Sequence, residues 1–172
     1  MGFMTDKWMG EEYFKVNDFD HLEFYVGNAK QVAYFYISGF GFSPYAYSGP
    51  ETGVEDRVSY VLRQNKVFFV FTTPLSSNNF ATKWLSKHGD GVRDIAISVD
   101  CDKIAYDSCI SRGAKSIMSP TITEDENGRF GKSTIQTYGD TVHSFICRKD
   151  YDGLWAPGFK RLNMPKIKSR IP

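Results

Sequence analysis

The chain holds three histidines, at positions 21, 88 and 143, and three cysteines, at positions 101, 109 and 147. Any metal or imidazole chemistry has to start from these. His21 opens the alternating run His21-Leu22-Glu23-Phe24-Tyr25-Val26, and His143 sits in the last apolar run, residues 141–147. With Asp94 they supply the atom types of a two-histidine, one-carboxylate Fe(II) site, which needs two imidazoles and one acid at fixed geometry. Against that stands a plainer reading, which the sequence favours. His21 and His143 are ordinary sheet histidines and Asp94 is a loop-end or cap residue, because apolar neighbours fix the strand faces and nothing fixes an open coordination position. No catalytic, cofactor-binding or metal-ligating residue is assigned on these grounds. Cys101 and Cys109, eight apart on one expected helix, lack zinc-site spacing and read as packing residues. His88 lies in His88-Gly89-Asp90-Gly91, which lacks the spacing of a phosphate-binding loop and reads as a turn.

The elements that would position these residues follow from periodicity. In the first run Leu22, Phe24 and Val26 face one side and His21, Glu23 and Tyr25 the other, a half-buried strand. Asn28 is the expected N-cap of a helix carrying Ala29, Val32, Ala33, Tyr36 and Ile37, which Gly39 and Gly41 stop. Strands follow at 43–47, 57–64 and 67–71; the last is apolar on both faces and therefore central. A short helix capped by Ser77 places Phe80, Trp84 and His88 on one face. The pattern then returns: a strand at 94–99, a helix capped by Asp100 or Asp102 and running to Arg112, and strands at 116–122, 133–138 and 141–147, with turns at Asn127-Gly128 and Gly139-Asp140. Residues 1–17 read as an arm, 18–150 as the folded domain (modules at about 19–75 and 91–149), and 151–172 as a linker.

The order strand, helix, strand, strand, strand thus occurs twice. An offset of 73 lays His21 on Asp94, Leu22 on Ile95, Phe24 on Ile97, Val26 on Val99, Lys30 on Lys103 and Ile37 on Ile110. The expected class is α+β: two tandem βαβββ modules forming one cupped mixed sheet with helices outside. That arrangement resembles the vicinal oxygen chelate fold of glyoxalases and extradiol dioxygenases, which implies a cup able to hold a divalent metal. Its ligands would come from the first strand of each module and a last strand.

Composition narrows the classes further. With 21 basic and 20 acidic residues the net charge is +1, so no nucleic-acid surface is expected. No apolar run approaches the roughly 20 residues of a membrane span. Three cysteines without a C-x-x-C pair suit a reduced, cytoplasmic compartment.

Longer strings carry a narrower resemblance: Phe24-Tyr25-Val26-Gly27-Asn28-Ala29-Lys30-Gln31, Gly39-Phe40-Gly41-Phe42, Glu51-Thr52-Gly53, the segment from Lys87 to Ala96, Arg112-Gly113-Ala114-Lys115, and Gln136-Thr137-Tyr138-Gly139-Asp140-Thr141 with His143. Over residues 18–160 the chain resembles the 4-hydroxyphenylpyruvate dioxygenase family. The resemblance implies two such domains in tandem, the N-terminal one structural and involved in subunit association. It implies a C-terminal catalytic domain holding Fe(II) through two histidines and a glutamate. The whole enzyme would convert 4-hydroxyphenylpyruvate and O2 to homogentisate and CO2 in tyrosine and phenylalanine breakdown, as a homo-oligomer. The family's first iron-binding strand, D-H-x-x-x-x-N, has no counterpart here, so this chain alone is expected to be inactive. Hydroxymandelate synthase shares the fold and substrate; the strings above favour the homogentisate-forming branch. Two other readings stand beside this: a free-standing binding or dimerisation protein, and a small glyoxalase-type metalloenzyme using His21, Asp94 and His143. Trp155 and Phe159 are expected on an exposed, adhesive face beside the linker.

Overall fold

The structure is a computed structural model that describes residues 13–164. Nine strands form one curled mixed sheet: β1 (Val16–Tyr25), β2 (Ser43–Ser48), β3 (Arg57–Gln64), β4 (Val67–Pro74), β5 (Gly91–Val99), β6 (Ser116–Asp125), β7 (Gly128–Gln136), β8 (Val142–Tyr151) and β9 (Lys160–Arg161). Among the described residues three α-helices accompany them: α1 (Ala29–Phe40), α2 (Phe80–His88) and α3 (Asp102–Ser111).

The sheet order β6-β7-β8-β5-β1-β4-β3-β2-β9 is the repeat made visible. Module one reads β1-β4-β3-β2 outward from the centre, and module two reads β5-β8-β7-β6. In each, the first strand runs parallel to the last, with Phe24 opposite Phe71 in one and Ile97 opposite Phe145 in the other. The modules join through antiparallel β1 and β5, where Leu22 faces Ile95, His21 faces Ala96 and Glu23 faces Asp94. Those pairs are what a twofold through Leu22 and Ile95 demands of the 73-residue offset. The two βαβββ modules and their outer helices are therefore as the sequence pattern requires.

Alternation sorts the side chains into two layers. On the convex side α1 lays Ala29 and Ala33 against Phe42, Leu62 and Phe71, and α3 lays Ala105 and Tyr106 against Val99, Ile135 and Phe145. Alanine on the inner helix face lets each helix approach its strands closely enough to seal those aromatics, each worth about 2–3 kcal/mol on burial. The concave side carries His21, Glu23 and Tyr25 of β1 and forms a cup.

Asn28 caps α1 as its sequence suggests, its side chain accepting the Gln31 N–H at 3.0 Å, and Gly41 ends the helix in the left-handed region; Gly39 lies inside the helix. Other boundaries move. Asn79, two residues beyond Ser77, caps α2 by accepting the Ala81 N–H. Neither Asp100 nor Asp102 caps α3; Cys101 holds that position without a side-chain bond and Asp102 is the first helical residue. β1 begins at Val16, inside the expected arm, because Val16 and Asp18 find partners in Val99 and Ser98; residues 1–12 of the arm lie outside the described residues. The expected linker is folded as far as β9, which pairs with Ala46 and Tyr47 of β2; its residues 165–172 lie outside the described residues.

Gly128 opens β7 at φ +117°, and a Cβ there would stand 2.1 Å from the Asp150 carbonyl oxygen. Main chain cannot yield as a side chain can. Gly128→Ala is expected to cost about 2–3 kcal/mol in a urea titration, and a cost near zero would mean the β7–β8 entry is not built as described.

Candidate functional site

The cup encloses about 640 Å³, bounded by both modules, by the N-terminal end of α2 and by residues 155–159. Its floor is built by residues two apart on each strand: His21, Glu23 and Tyr25 on β1, Val70 and Thr72 on β4, Ile146 and Arg148 on β8.

His21 is buried, and its Nδ1–H donates to Asp20 Oδ1 at 2.7 Å. Asp20 is buried as well and takes two hydrogen bonds of 2.9 Å from Arg148, through Nε and Nη2. Burial pushes the Asp20 pKa up, but the hydrogen bonds from His21 and Arg148 and their charges outweigh it and hold the carboxyl well below its ordinary value. The Arg148 guanidinium lies 4.4 Å from the Trp155 ring centre and 4.9 Å from that of Phe130, and donates to the Trp155 carbonyl. Trp155 also meets His21 edge-on at 5.2 Å. The imidazole is thus fixed by a carboxylate on one side and an indole on the other.

Glu23 accepts the Thr72 hydroxyl at 2.6 Å, and Thr72 is bonded to Ser59 at 2.8 Å. Burial, and then the charge of Glu23, push the Tyr25 phenol well above its ordinary value, so it stays protonated. Asp94 is sealed beneath: the Ser144 N–H donates to Oδ1 at 3.0 Å and the Ser144 hydroxyl to Oδ2, with Lys132 Nζ 3.6 Å away.

The three residues weighed for iron are not brought together. His21 and Asp94 both lie on the cup side. His143 alternates with Ser144 and Ile146 and so points to the convex layer, where its Nδ1–H donates to the Ile95 carbonyl at 2.8 Å. A dication in the cup would find both Asp94 oxygens held by Ser144 and the cations Arg148 and Lys132 close by, with His143 on the other face of the sheet. Among the described residues no group of three His, Cys, Asp or Glu side chains stands close enough to hold a metal. The donor set does not fit an iron site.

The remaining candidates lie apart from the cup lining. His88 lies tilted against Trp84 with ring centres 4.8 Å apart, and its Nε2 meets Asp140 at 2.6 Å, tying α2 to the β7–β8 turn. Cys109 packs against the α3 core, burial pushing its thiol up, and all three cysteines are free thiols. Among the described residues no helix is long and apolar enough to cross a membrane. Sequence reasoning missed Asp20, Arg148 and Trp155. The neighbours Asp20 and His21 were a signal for the first; the other two lie 127 and 134 residues beyond His21.

Solved structures place this architecture. A variant of 4-hydroxymandelate synthase from Streptomyces coelicolor superposes with a TM-score of 0.72 at 28% identity, covering 83% of this chain and 42% of that one. Methylmalonyl-CoA epimerase from Mycobacterium tuberculosis gives 0.62 at 16%, covering 81% and 92%. The double-module half-barrel is the vicinal oxygen chelate fold. Within it, the sequence is related to the 4-hydroxyphenylpyruvate dioxygenases. That of Danio rerio is 43% identical over 159 residues, 91% of this chain, and that of Dictyostelium discoideum 43% over 144 residues, 82% of it. The chain spans about 40% of the length of the curated relatives it matches. No protein-family model matches it.

Proposed function

We propose that this chain is the N-terminal structural domain of a 4-hydroxyphenylpyruvate dioxygenase and is inactive alone. The observation that carries the reading is 43% identity across 91% of the chain against only 40% of the relative. The cup supports it, since Ser144 takes both Asp94 oxygens and His143 faces away, so the three candidate donors are not gathered for a metal. On this reading the Fe(II) ligands belong to a C-terminal catalytic domain. The whole enzyme is a cytoplasmic homo-oligomer that turns 4-hydroxyphenylpyruvate and O2 into homogentisate and CO2 in tyrosine and phenylalanine breakdown. The present domain contributes a rigid half to that assembly and takes part in subunit association.

The test is iron content of the purified chain after anaerobic Fe(II) loading, with oxygen uptake on 4-hydroxyphenylpyruvate. The expected result is no stoichiometric iron and no uptake above buffer. Bound iron with substrate-dependent uptake would overturn the reading.

A further inference from the structure

We infer that a second cavity, beside the cup, is a binding site for a small organic anion, a carboxylate carried on a flat apolar body. The inference rests on a guanidinium that the fold holds in place and leaves without an acid.

This cavity encloses about 450 Å³ and shares just Arg148 and Trp155 with the cup. Arg63 of β3 stands directly opposite Phe68 of β4. Its guanidinium lies 5.3 Å from the Phe68 ring centre and 5.9 Å from that of Tyr45, and its Nε–H donates to the Asn65 carbonyl at 2.8 Å. That carbonyl is itself fixed, because Asn65 takes the left-handed conformation (φ 54°) that a two-residue turn between β3 and β4 requires. Two rings and a main-chain oxygen thus orient the guanidinium, while its two Nη groups have no hydrogen-bond partner among the described residues. A held guanidinium with both Nη groups open is the donor pair that a carboxylate accepts in bidentate fashion.

Five charged side chains line the cavity: Asp18, Asp20, Arg63, Lys66 and Arg148. Arg148 and Asp20 answer each other through two hydrogen bonds of 2.9 Å. Arg63 and Lys66 are cations without an ion-pair partner among the described residues. Asp18 is the acid that remains, and one of its oxygens accepts the Phe19 N–H at 2.8 Å. Asp18 belongs to β1, and β4 lies between β1 and β3. Two strand spacings, roughly 9–10 Å, therefore separate its main chain from that of Arg63. The positive end of the cavity is the turn that carries Arg63 and Lys66.

The rest of the wall is aromatic. Tyr45, Phe68 and Trp155 line it, and Phe19 beside them is 69% exposed, an apolar ring that a flat ligand would cover. A cavity of about 450 Å³ is of the size that takes a small organic molecule.

The test is calorimetric titration of the full chain with benzoate, benzamide and benzamidinium, three molecules of one shape and three charges, at equal ionic strength. The expected result is saturable binding of benzoate, roughly tenfold weaker binding of benzamide, and none of benzamidinium. Arg63→Gln removes the charge at an exposed position, so the folded variant should lose roughly tenfold in benzoate affinity. Arg57→Gln, at the rim of the cup and outside this cavity, should leave that affinity unchanged. Benzamidinium binding as tightly as benzoate, no saturable benzoate binding, or an unchanged affinity in folded Arg63→Gln would each overturn the inference. An equal loss in Arg57→Gln would place the ligand in the cup and overturn it as well. Iron content and oxygen uptake are separate readouts, so this site can fail while the structural-domain reading stands, and the reverse.

Discussion

Trp155→Ala is expected to lower the unfolding free energy by about 3–5 kcal/mol in a urea titration, among the largest effects of any single truncation in the chain. Residues 152–159 leave β8 in module two and return to the sheet as β9, on the outer edge of module one. They form a strap across the concave face, and Trp155 is its anchor. Only 6% exposed, Trp155 closes a cluster with Ala46, Val61 and Val70 and touches Phe68 at 5.1 Å and Tyr45 at 6.3 Å. Truncation would open a cavity under the strap, remove one face of the Arg148 sandwich and free the His21 ring. Trp155→Phe, which keeps part of that packing, should cost clearly less. This corrects the expectation of an exposed, adhesive Trp155: the indole is core, and Phe159 beside it is half-buried. A loss below about 1 kcal/mol, the range of ordinary surface changes, would mean that the strap only rests on the sheet.

The contrast between strap and sheet shows what the sequence could tell. The strands were legible because their burial is periodic: Leu22 and Phe24 against His21 and Glu23 state both the strand and its faces. The same alternation, followed in β8, already put His143 on the face opposite Ser144 and Ile146, so the iron set could have been rejected from pattern alone. The 73-residue offset was legible because two copies of one module need the same apolar sites. The strap has neither period, and Gly153, Pro157 and Gly158 give it the look of a linker. Its burial comes from residues about 90 to 135 positions away, Phe68 and His21 among them. Asp94 is a similar case: its bond partner Ser144 is fifty residues distant. Asn79 took the cap of α2 from Ser77 because its side chain reaches the Ala81 N–H, while Ser76 and Ser77 belong to the preceding turn.

Arg148→Met is expected to cost about 3 kcal/mol at neutral pH and to move the acid limb of the stability profile to higher pH. The methionine can keep some packing between Phe130 and Trp155, but among the described residues it leaves the buried Asp20 carboxylate with His21 as its one remaining side-chain partner. The sign follows from the direction of the Asp20 shift. In the folded protein its pKa lies below the unfolded value, so the carboxylate contributes stability that is fully present above the ordinary Asp value of about 3.9 and is lost as pH falls through the lower folded value. Removing the guanidinium takes away two hydrogen bonds and the opposing charge while the burial remains, and burial raises the pKa. Asp20 in the variant should therefore protonate at a higher pH than in the parent chain, and part of the neutral-pH cost should disappear on acidification, since a protonated Asp20 no longer needs the missing cation. Urea midpoints of parent and variant between pH 3 and pH 7 measure both effects. Curves that stay parallel across that range would show that Arg148 stabilises by packing and not through Asp20.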